Sequence, residues 1–354
     1  MTTYLVTGAT GLIGRHVVDL LLRNDNTDTV HVLVRPSSER KLAKTAKRWP
    51  NADKISPLFG DIAEPSLGLS QQTLEQLRGS VDHVVHLAAL YDITTDDEAN
   101  ASANVDGTKH LLDVARAIEA GRVHHVSSVA VAGEYRGTFT EDMFDAGQPL
   151  PTPYHRTKYA SEKLVREQHD VPWRVYRPAI VVGHSTTGEM DKVDGPYYLF
   201  PSIAALAPLP EIPFVAPNLG DTNLVPVDYV AAAMVHLMHR PGLDGRAFHL
   251  VNPQPQPLTE VYNVFANVAG APPIAATIGK RASAPLLSLA KLAEQLPGAS
   301  IARDAVLHRL GIPPEVLGVS AFTCRFDSTA TREALAGSGI EVPRLDDYAG
   351  VLWG

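Results

Sequence analysis

The stretch Thr7-Gly8-Ala9-Thr10-Gly11-Leu12-Ile13-Gly14 constrains this chain more than any other. It follows the apolar run Tyr4-Leu5-Val6 and precedes Arg15-His16-Val17-Val18-Asp19-Leu20-Leu21-Leu22, whose apolar residues recur at helical spacing. Strand, tight turn and helix are expected in that order. Gly8, Gly11 and Gly14 let the backbone turn without a Cβ in the way, approach a pyrophosphate closely and pack the new helix on its strand. The unbonded N–H groups at the helix start attract the anion. The pattern predicts dinucleotide binding, with Thr7, Gly8, Thr10, Gly11, Leu12, Ile13 and Gly14 around the cofactor. The plainer alternative is a tight strand-to-helix turn with no ligand.

The second strand, Thr29-Val30-His31-Val32-Leu33-Val34, ends at Arg35, with Arg40 and Lys41 just beyond. Sites that hold the 2′-hydroxyl of NAD usually place a carboxylate there, whereas a cation pairs with a 2′-phosphate. NADPH is therefore the expected cofactor, with Arg35 on its phosphate. The third strand, around Ile55 to Phe59, ends in Gly60-Asp61-Ile62, and the fourth, Val81 to Leu87, ends in Ala88-Ala89. Asp61 is placed to accept from the adenine amine, Ile62 beside it, and Ala88 and Ala89 leave room for ribose and pyrophosphate. His83 and His86 on a buried strand read as packing residues rather than metal ligands. A helix from Ala99 to Arg116 and a strand from Arg122 to Ser128 continue the alternation. The fold class is α/β, a doubly wound (Rossmann) parallel sheet with a smaller, mostly helical C-terminal substrate domain.

Composition removes several classes. The net charge of −8 and the lack of clustered Lys and Arg argue against nucleic acid. One cysteine, Cys324, excludes an internal disulfide and a cysteine zinc site, and suits a reducing compartment. The first strand starts by about Thr3, so no secretory leader is expected, and no apolar run approaches the ~18 residues of a membrane span. A cytoplasmic setting follows.

Ser127 and Ser128 end the fifth strand, where open α/β sheets bind ligands. Tyr154-His155-Arg156-Thr157-Lys158 then opens an amphipathic helix, with Tyr154 and Lys158 four residues apart on one face. A phenol of ordinary pKa about 10 is a poor acid-base group at neutral pH, and a neighbouring ammonium lowers that pKa. The same ammonium can hold the nicotinamide ribose. Alone, the pair would read as a solvated helix face; behind a glycine-rich turn and a strand-end serine, it reads as catalytic.

In order and spacing, the glycine run, Asp61-Ile62, His86-Leu87-Ala88-Ala89, Asn104-Val105-Asp106-Gly107-Thr108, Ser127-Ser128, Tyr154 to Lys158 and Arg177-Pro178 resemble the extended short-chain dehydrogenase/reductase superfamily. That resemblance implies a Ser128, Tyr154, Lys158 triad, with Ser128 chosen over Ser127 because it lies five residues before Gly133. It further implies that Asn104 supports the proton path and that Pro178 and Ile180 line the cofactor. Glu141-Asp142-Met143-Phe144, Val182 through Tyr198, Arg325-Phe326-Asp327 and Pro343 through Tyr348 are most similar to the reductase domain of bacterial long-chain fatty acyl-CoA reductases. Such enzymes often carry a second reductase domain after this one, and here the chain stops at Trp353-Gly354.

Glu189, Asp191 and Asp194 lack the ligand spacing of a calcium loop, so no metal is expected. Tyr197 and Tyr198 are expected to cover the active site, and His184 to touch substrate or to brace its loop. The proline-rich stretch from Pro196 to Pro217 reads as an irregular lid. Leu224 to Val230 is expected to return to the main sheet, and Ala247 to Val251 to extend it. Leu286, Leu287, Leu289, Ala290, Leu292, Ala293 and Leu296 form an apolar stripe that is docked core, an acyl tunnel wall or a contact with a membrane surface. The expected division gives 1–182 and 222–252 to the NADP-binding domain, and 183–221 and 253–354 to a substrate-binding lid.

The functional expectation is an NADPH-dependent reductase of long-chain fatty acyl-CoA, fatty aldehyde or both, its partner a small lipid substrate. The rivals are a dehydrogenase or epimerase of a hydroxysteroid or nucleotide sugar, and a non-catalytic NADP(H)-sensing protein. The intact Tyr154 and Lys158 pair weighs against the latter.

Overall fold

The computed structural model describes residues 1–88, 102–191, 195–218, 220–254, 256–278 and 322–354. Its first elements are β1 (Thr2–Thr7), α1 (Leu12–Arg23), β2 (Thr27–Val34), α2 (Glu39–Ala46), β3 (Ile55–Phe59), α3 (Gln71–Leu77) and β4 (His83–His86). There follow α4 (Gly107–Ala117), β5 (Arg122–Val126), β6 (Gly137–Phe139), α5 (Pro153–Glu167), β7 (Trp173–Pro178), β8 (Ile180–Val182) and α6 (Phe200–Leu206). The chain continues through β9 (Phe214–Pro217), β10 (Asp221–Thr222), β11 (Leu224–Pro226), α7 (Val227–His239), β12 (Arg246–Leu250), β13 (Gln256–Pro257) and α8 (Leu258–Ala269). Last come β14 (Ile274–Ile278), β15 (Cys324–Phe326), α9 (Thr329–Leu335) and α10 (Leu345–Trp353). No helix among the described residues is long and apolar enough to cross a membrane.

Contacts group the chain into two compact units, the first comprising Met1–Ala179, Val227–Pro253 and Cys324–Val342. It is built on a seven-stranded parallel sheet of order β12-β7-β5-β4-β1-β2-β3. This is the doubly wound fold expected from the alternation of strands and helices. Strand order reverses between β4 and β1, so the connections leaving their carboxyl ends run in opposite directions and open the crevice where such sheets take ligands. One face buries Leu5, Val84, Val123 and Val175 against Leu74, Leu111 and Val165 of α3, α4 and α5. The other carries α1 and α7. In α1 the buried residues Gly14, Val17, Val18, Leu21 and Leu22 recur every three or four positions, which is why this segment is a helix laid on a sheet.

The histidines of β4 and β5 divide between the two faces by the alternation of the strand. His83 stacks on Tyr4 at 5.4 Å and shares a 2.9 Å hydrogen bond with His124, whose other nitrogen meets the Tyr176 hydroxyl at 2.9 Å. His86 and His125 lie on the opposite face, beneath α4 and α5. Leu224 to Pro226 departs from its expected place: β11 pairs with β8 in a separate two-stranded sheet. Ala247 to Leu250 does join the main sheet, as the edge strand β12 beside β7.

The segment Cys324–Val342 packs in the first unit, although its place in the sequence points to the lid. β15 pairs in parallel with β6, and the buried Glu141 carboxylate accepts from His249 N at 2.9 Å, Ala330 N at 2.7 Å, Thr331 N at 3.2 Å and the Thr331 hydroxyl. That carboxylate fixes the start of α9, a role for the Glu141 stretch that is structural. Cys324 is half-buried there, and burial pushes its thiol up to about 12, so it is not a reactive thiolate.

The second unit comprises Ile180–Pro226, Gln254–Thr323 and Pro343–Gly354. Its core gathers Val182, Ile203, Leu224, Phe265, Leu345 and Leu352. Phe200 lies 4.7 Å from Phe265 and 4.7 Å from Trp353, ring to ring. These contacts turn the stretch after Pro196, expected as an irregular lid, into the short helix α6, with Pro201 tolerated in its first turn. The apolar stripe from Leu286 to Leu296 lies outside the described residues.

The first unit is expected to be acid-labile. Burial first, and neighbouring cations second, lower His86 and His249 to about 3, and burial with nearby His239 and Arg122 lowers His83 to about 4. A histidine whose folded pKa lies below its unfolded value binds more protons when unfolded, so its contribution is intact above about 6.5 and is lost as pH falls below that. The urea midpoint should hold steady from pH 8 to 7 and drop steeply between about 6 and 4. A midpoint unchanged to pH 4 would contradict the buried neutral histidines.

Candidate active site

The turn after β1 has no room for a side chain. Gly8 adopts a φ of +73°, and a Cβ there would lie 2.6 Å from Ala88 N. A Cβ on Gly14 would lie 2.1 Å from the Gly8 carbonyl oxygen. Gly11 N–H closes the turn on Gly8 O at 3.0 Å. Gly11 also caps α1, with no side chain bonded to the helix end and no acid in its first turn. The N–H groups that open α1 are therefore not claimed by a side chain, and the cradle fits the pyrophosphate of a dinucleotide. Thr10, Leu12 and Ile13 are half-buried around it. The Thr7 hydroxyl turns inward, meeting His86 Nδ1 at 2.8 Å and accepting from Ala88 N at 3.2 Å, so it joins the ends of β1 and β4.

Arg35 is exposed directly after β2. One Asp61 carboxylate oxygen accepts from Ala63 N at 3.1 Å and shapes the turn after β3. Ile62 packs beside Gly107, whose Cβ position it would approach to 3.0 Å. Ala89 lies outside the described residues.

Ser127 and Ser128 leave β5 in different ways. Ser127 is buried, its N–H donating to Tyr176 O at 2.8 Å, whereas the Ser128 hydroxyl accepts from Ala130 N at 3.1 Å and begins a short turn, Val129–Ala132. That turn ends at Gly133, where φ is +49° and a Cβ would lie 2.1 Å from Pro149 O. The helix α5 starts on Thr152, whose hydroxyl accepts from His155 N, with Pro153 in the first turn. Its inner face is Thr157, Lys158, Ser161, Glu162 and Val165, and Tyr154 stands one turn ahead of Lys158. Lys158 Nζ donates to Val126 O at 3.3 Å, which places it at the carboxyl end of β5, next to the serines. Burial lowers its pKa to about 8, with Glu162 acting in the other direction. Asn104 is buried in a wide turn, Ser102–Asp106, and its carbonyl accepts from the Thr108 hydroxyl at 2.6 Å and from the Ser161 hydroxyl. It thereby ties α4 to α5.

A charged group that sequence reading overlooked lies under this helix. Glu162 and Arg177 are both fully buried and joined at 2.6 Å. Arg177 Nη1 donates to His249 Nε2 at 3.1 Å, while His249 Nδ1 donates to Asp327 O at 2.6 Å, a pattern that needs a neutral imidazole. The signal was present: Glu162 continues the spacing of Tyr154 and Lys158 by one more turn. Of the residues expected to meet substrate, His184, Tyr197 and Tyr198 belong to the second unit. The Tyr197 hydroxyl accepts from Gly183 N at 3.0 Å, and His184 Nδ1 accepts from Thr186 N at 3.2 Å, so both brace their own loop. Pro178 ends β7, and Ile180 begins β8 in the second unit.

A family model described as male sterility protein, an NAD-binding domain, matches residues 6–234, which take in the glycine turn, both serines and the Tyr154 helix. The chain belongs to this family. The match places it in the extended short-chain dehydrogenase/reductase superfamily, with an NAD(P)-binding domain. It is 31% identical over 265 residues to a linear gramicidin synthase of Brevibacillus parabrevis, a match covering 70% of this chain and 5% of that protein. It is 29% identical over 271 residues to the L-2-aminoadipate reductase large subunit of Penicillium chrysogenum, covering 69% of this chain and 19% of that one. This family member thus spans only a small part of the curated relatives it matches. The crystal structure of the terminal R domain from the myxalamid PKS-NRPS biosynthetic pathway superposes with a TM-score of 0.77 at 28% identity, covering 99% of this chain and 89% of that one.

Gly14→Ala should weaken NAD(P)H binding at least about tenfold, ~1.4 kcal/mol, because the new methyl displaces the Gly8 carbonyl and with it the turn. A fluorescence titration of the cofactor measures this. Undiminished affinity would show that the cradle does not hold the dinucleotide.

Proposed function

We propose that this family member reduces acyl thioesters with NADPH, long-chain fatty acyl-CoA and fatty aldehyde among its substrates, giving aldehyde or alcohol. The observation that carries this reading is Lys158, a buried amine one turn after Tyr154 and hydrogen-bonded at the end of the strand that delivers Ser128. NADPH, when bound, supplies a hydride to the carbonyl carbon. Ser128 accepts from Ala130 N, so its own O–H is left to donate to the substrate oxygen. Tyr154 gives its proton to that oxygen as negative charge develops there. The Lys158 ammonium stabilises the phenolate left behind and holds the nicotinamide ribose.

With a thioester, addition of hydride and proton gives a hemithioacetal. Its C–S bond then breaks, the sulfur leaves as the thiol with one proton, and the carbonyl re-forms as aldehyde. A second hydride and proton take the aldehyde to alcohol. Arg35, Arg40 and Lys41 are exposed after β2, and the lack of an acid at the strand end supports NADPH over NADH.

The acyl group has two readings. The resemblance of the stretch Val182 to Tyr198 supports a fatty acyl-CoA. The 28% identity with a terminal R domain over 99% of the chain supports an acyl group delivered as a thioester of a carrier domain. The two share one chemistry at the carbonyl and differ in what carries the sulfur.

NADPH oxidation by the purified chain, followed with acyl-CoAs of increasing length, carrier-bound acyl thioesters and aldehydes, with products identified, separates these readings. Reduction of at least one acyl class is expected, and oxidation of sterols with reduction of neither would overturn the proposal. Tyr154→Phe should lower reduction by about 10²- to 10⁴-fold while NADPH affinity stays within about twofold. Retained full activity in that variant would remove Tyr154 from the chemistry.

A further inference from the structure

The inner face of α5 carries three functional groups at one-turn intervals: Tyr154, Lys158 and Glu162. The carboxylate of Glu162 is fully buried. It accepts from Arg177 Nε at 3.1 and 3.0 Å, from Arg177 Nη2 at 2.6 Å and from Arg166 Nε at 2.7 Å. Burial alone would push this carboxyl up toward the neutral form, but the two guanidinium groups outweigh burial and hold it at about 2. It is a permanent negative charge in a dry interior.

Lys158 is its counterpart. Among the described residues its Nζ makes one hydrogen bond, to Val126 O, and an ammonium has three N–H groups to satisfy. An amine so buried tends to lose its proton. The titratable groups facing it from the sheet are His86 on β4 and His125 on β5, and burial keeps both neutral near pH 7, so neither supplies a compensating anion. From its own helix it faces Glu162, beyond which Arg177 of β7 closes the row. Glu162 is the one carboxylate on the buried face of α5, a single turn from Lys158.

We propose that Glu162, held by Arg177 and Arg166, is the positioning residue that keeps Lys158 an ammonium at the end of β5, a role that rests on reading Tyr154 and Lys158 as the reducing pair. A purely structural ion pair would lock α5 to β7 and leave the protonation of Lys158 untouched. Removing the charge of Glu162 while keeping its shape distinguishes the two.

The test uses the full chain with lysine labelled by ¹³C at Cε, the Lys158 resonance being assigned by its loss in Lys158→Arg. Its titration midpoint in Glu162→Gln should fall by about one pH unit or more, and should return toward the unaltered value in Glu162→Asp. An unmoved midpoint overturns the proposal, whatever happens to activity. The alkaline limb of NADPH oxidation with a reducible acyl substrate should move down with the midpoint. If the midpoint moves and the limb does not, Glu162 governs Lys158 but Lys158 is not part of the reaction, and it is the functional reading that fails. Should Glu162→Gln not fold because two arginines are left buried without an anion, Glu162→Gln/Arg166→Gln removes one surplus charge and takes its place in both measurements.

Discussion

Lys158 sits where burial works against its charge, and much of the first unit is arranged around that conflict. Its amine reaches the carbonyl of Val126 at the carboxyl end of β5 because α5 lies directly on the sheet, with Thr157, Ser161 and Val165 beside it on the buried face. The helix is fixed at its start by Thr152 and past its middle by the Ser161 hydroxyl on the Asn104 carbonyl and by Glu162 on Arg177. Arg177 in turn leans on His249, and Glu141 ties the β12 backbone to α9. A polar layer thus runs beneath α5 from one strand to the next. Polar groups in such a layer are costly unless all are paired, and once paired they admit one arrangement far more readily than a second.

The parallel sheet was legible from the sequence because β1, β2, β4 and β5 are short, rich in Val or Thr and each followed by a helical period. Gly8 and Gly14 were legible because no other residue fits there: a Cβ would lie 2.6 Å from Ala88 N at the first and 2.1 Å from the Gly8 carbonyl oxygen at the second. What escaped were pairings between distant segments. Leu224 to Pro226 has the pattern of a main-sheet strand, yet it pairs with Ile180 to Val182, and nothing local distinguishes these two choices. The same holds for Cys324 to Phe326, which crosses most of the chain to reach Gly137 to Phe139. Glu162 was overlooked because a glutamate on an amphipathic helix ordinarily faces water. Only the fully buried Arg177 on β7, bonded to it at 2.6 Å, shows that it does not.

The fold alone does not select a reaction, since similar sheets serve many chemistries. Selection rests on the site: an anion cradle at β1, a strand-end hydroxyl at Ser128, and a phenol and a buried amine one turn apart. The Ser128 hydroxyl accepts a bond from its own turn, and Tyr154 and Lys158 stand one turn apart on α5. In the second unit, Tyr197 and His184 brace the loop after Gly183.

The most direct measurement tracks the hydride itself. The chain would be incubated with an acyl thioester and NADPH deuterated at the nicotinamide carbon that transfers hydride, and the products would be weighed by mass spectrometry. One deuterium per reduction step on the former carbonyl carbon is expected, with the yield of labelled product falling by about 10²- to 10⁴-fold when Tyr154 is replaced by Phe. Aldehyde or alcohol formed without deuterium, or label transferred undiminished by the Phe variant, would contradict the account.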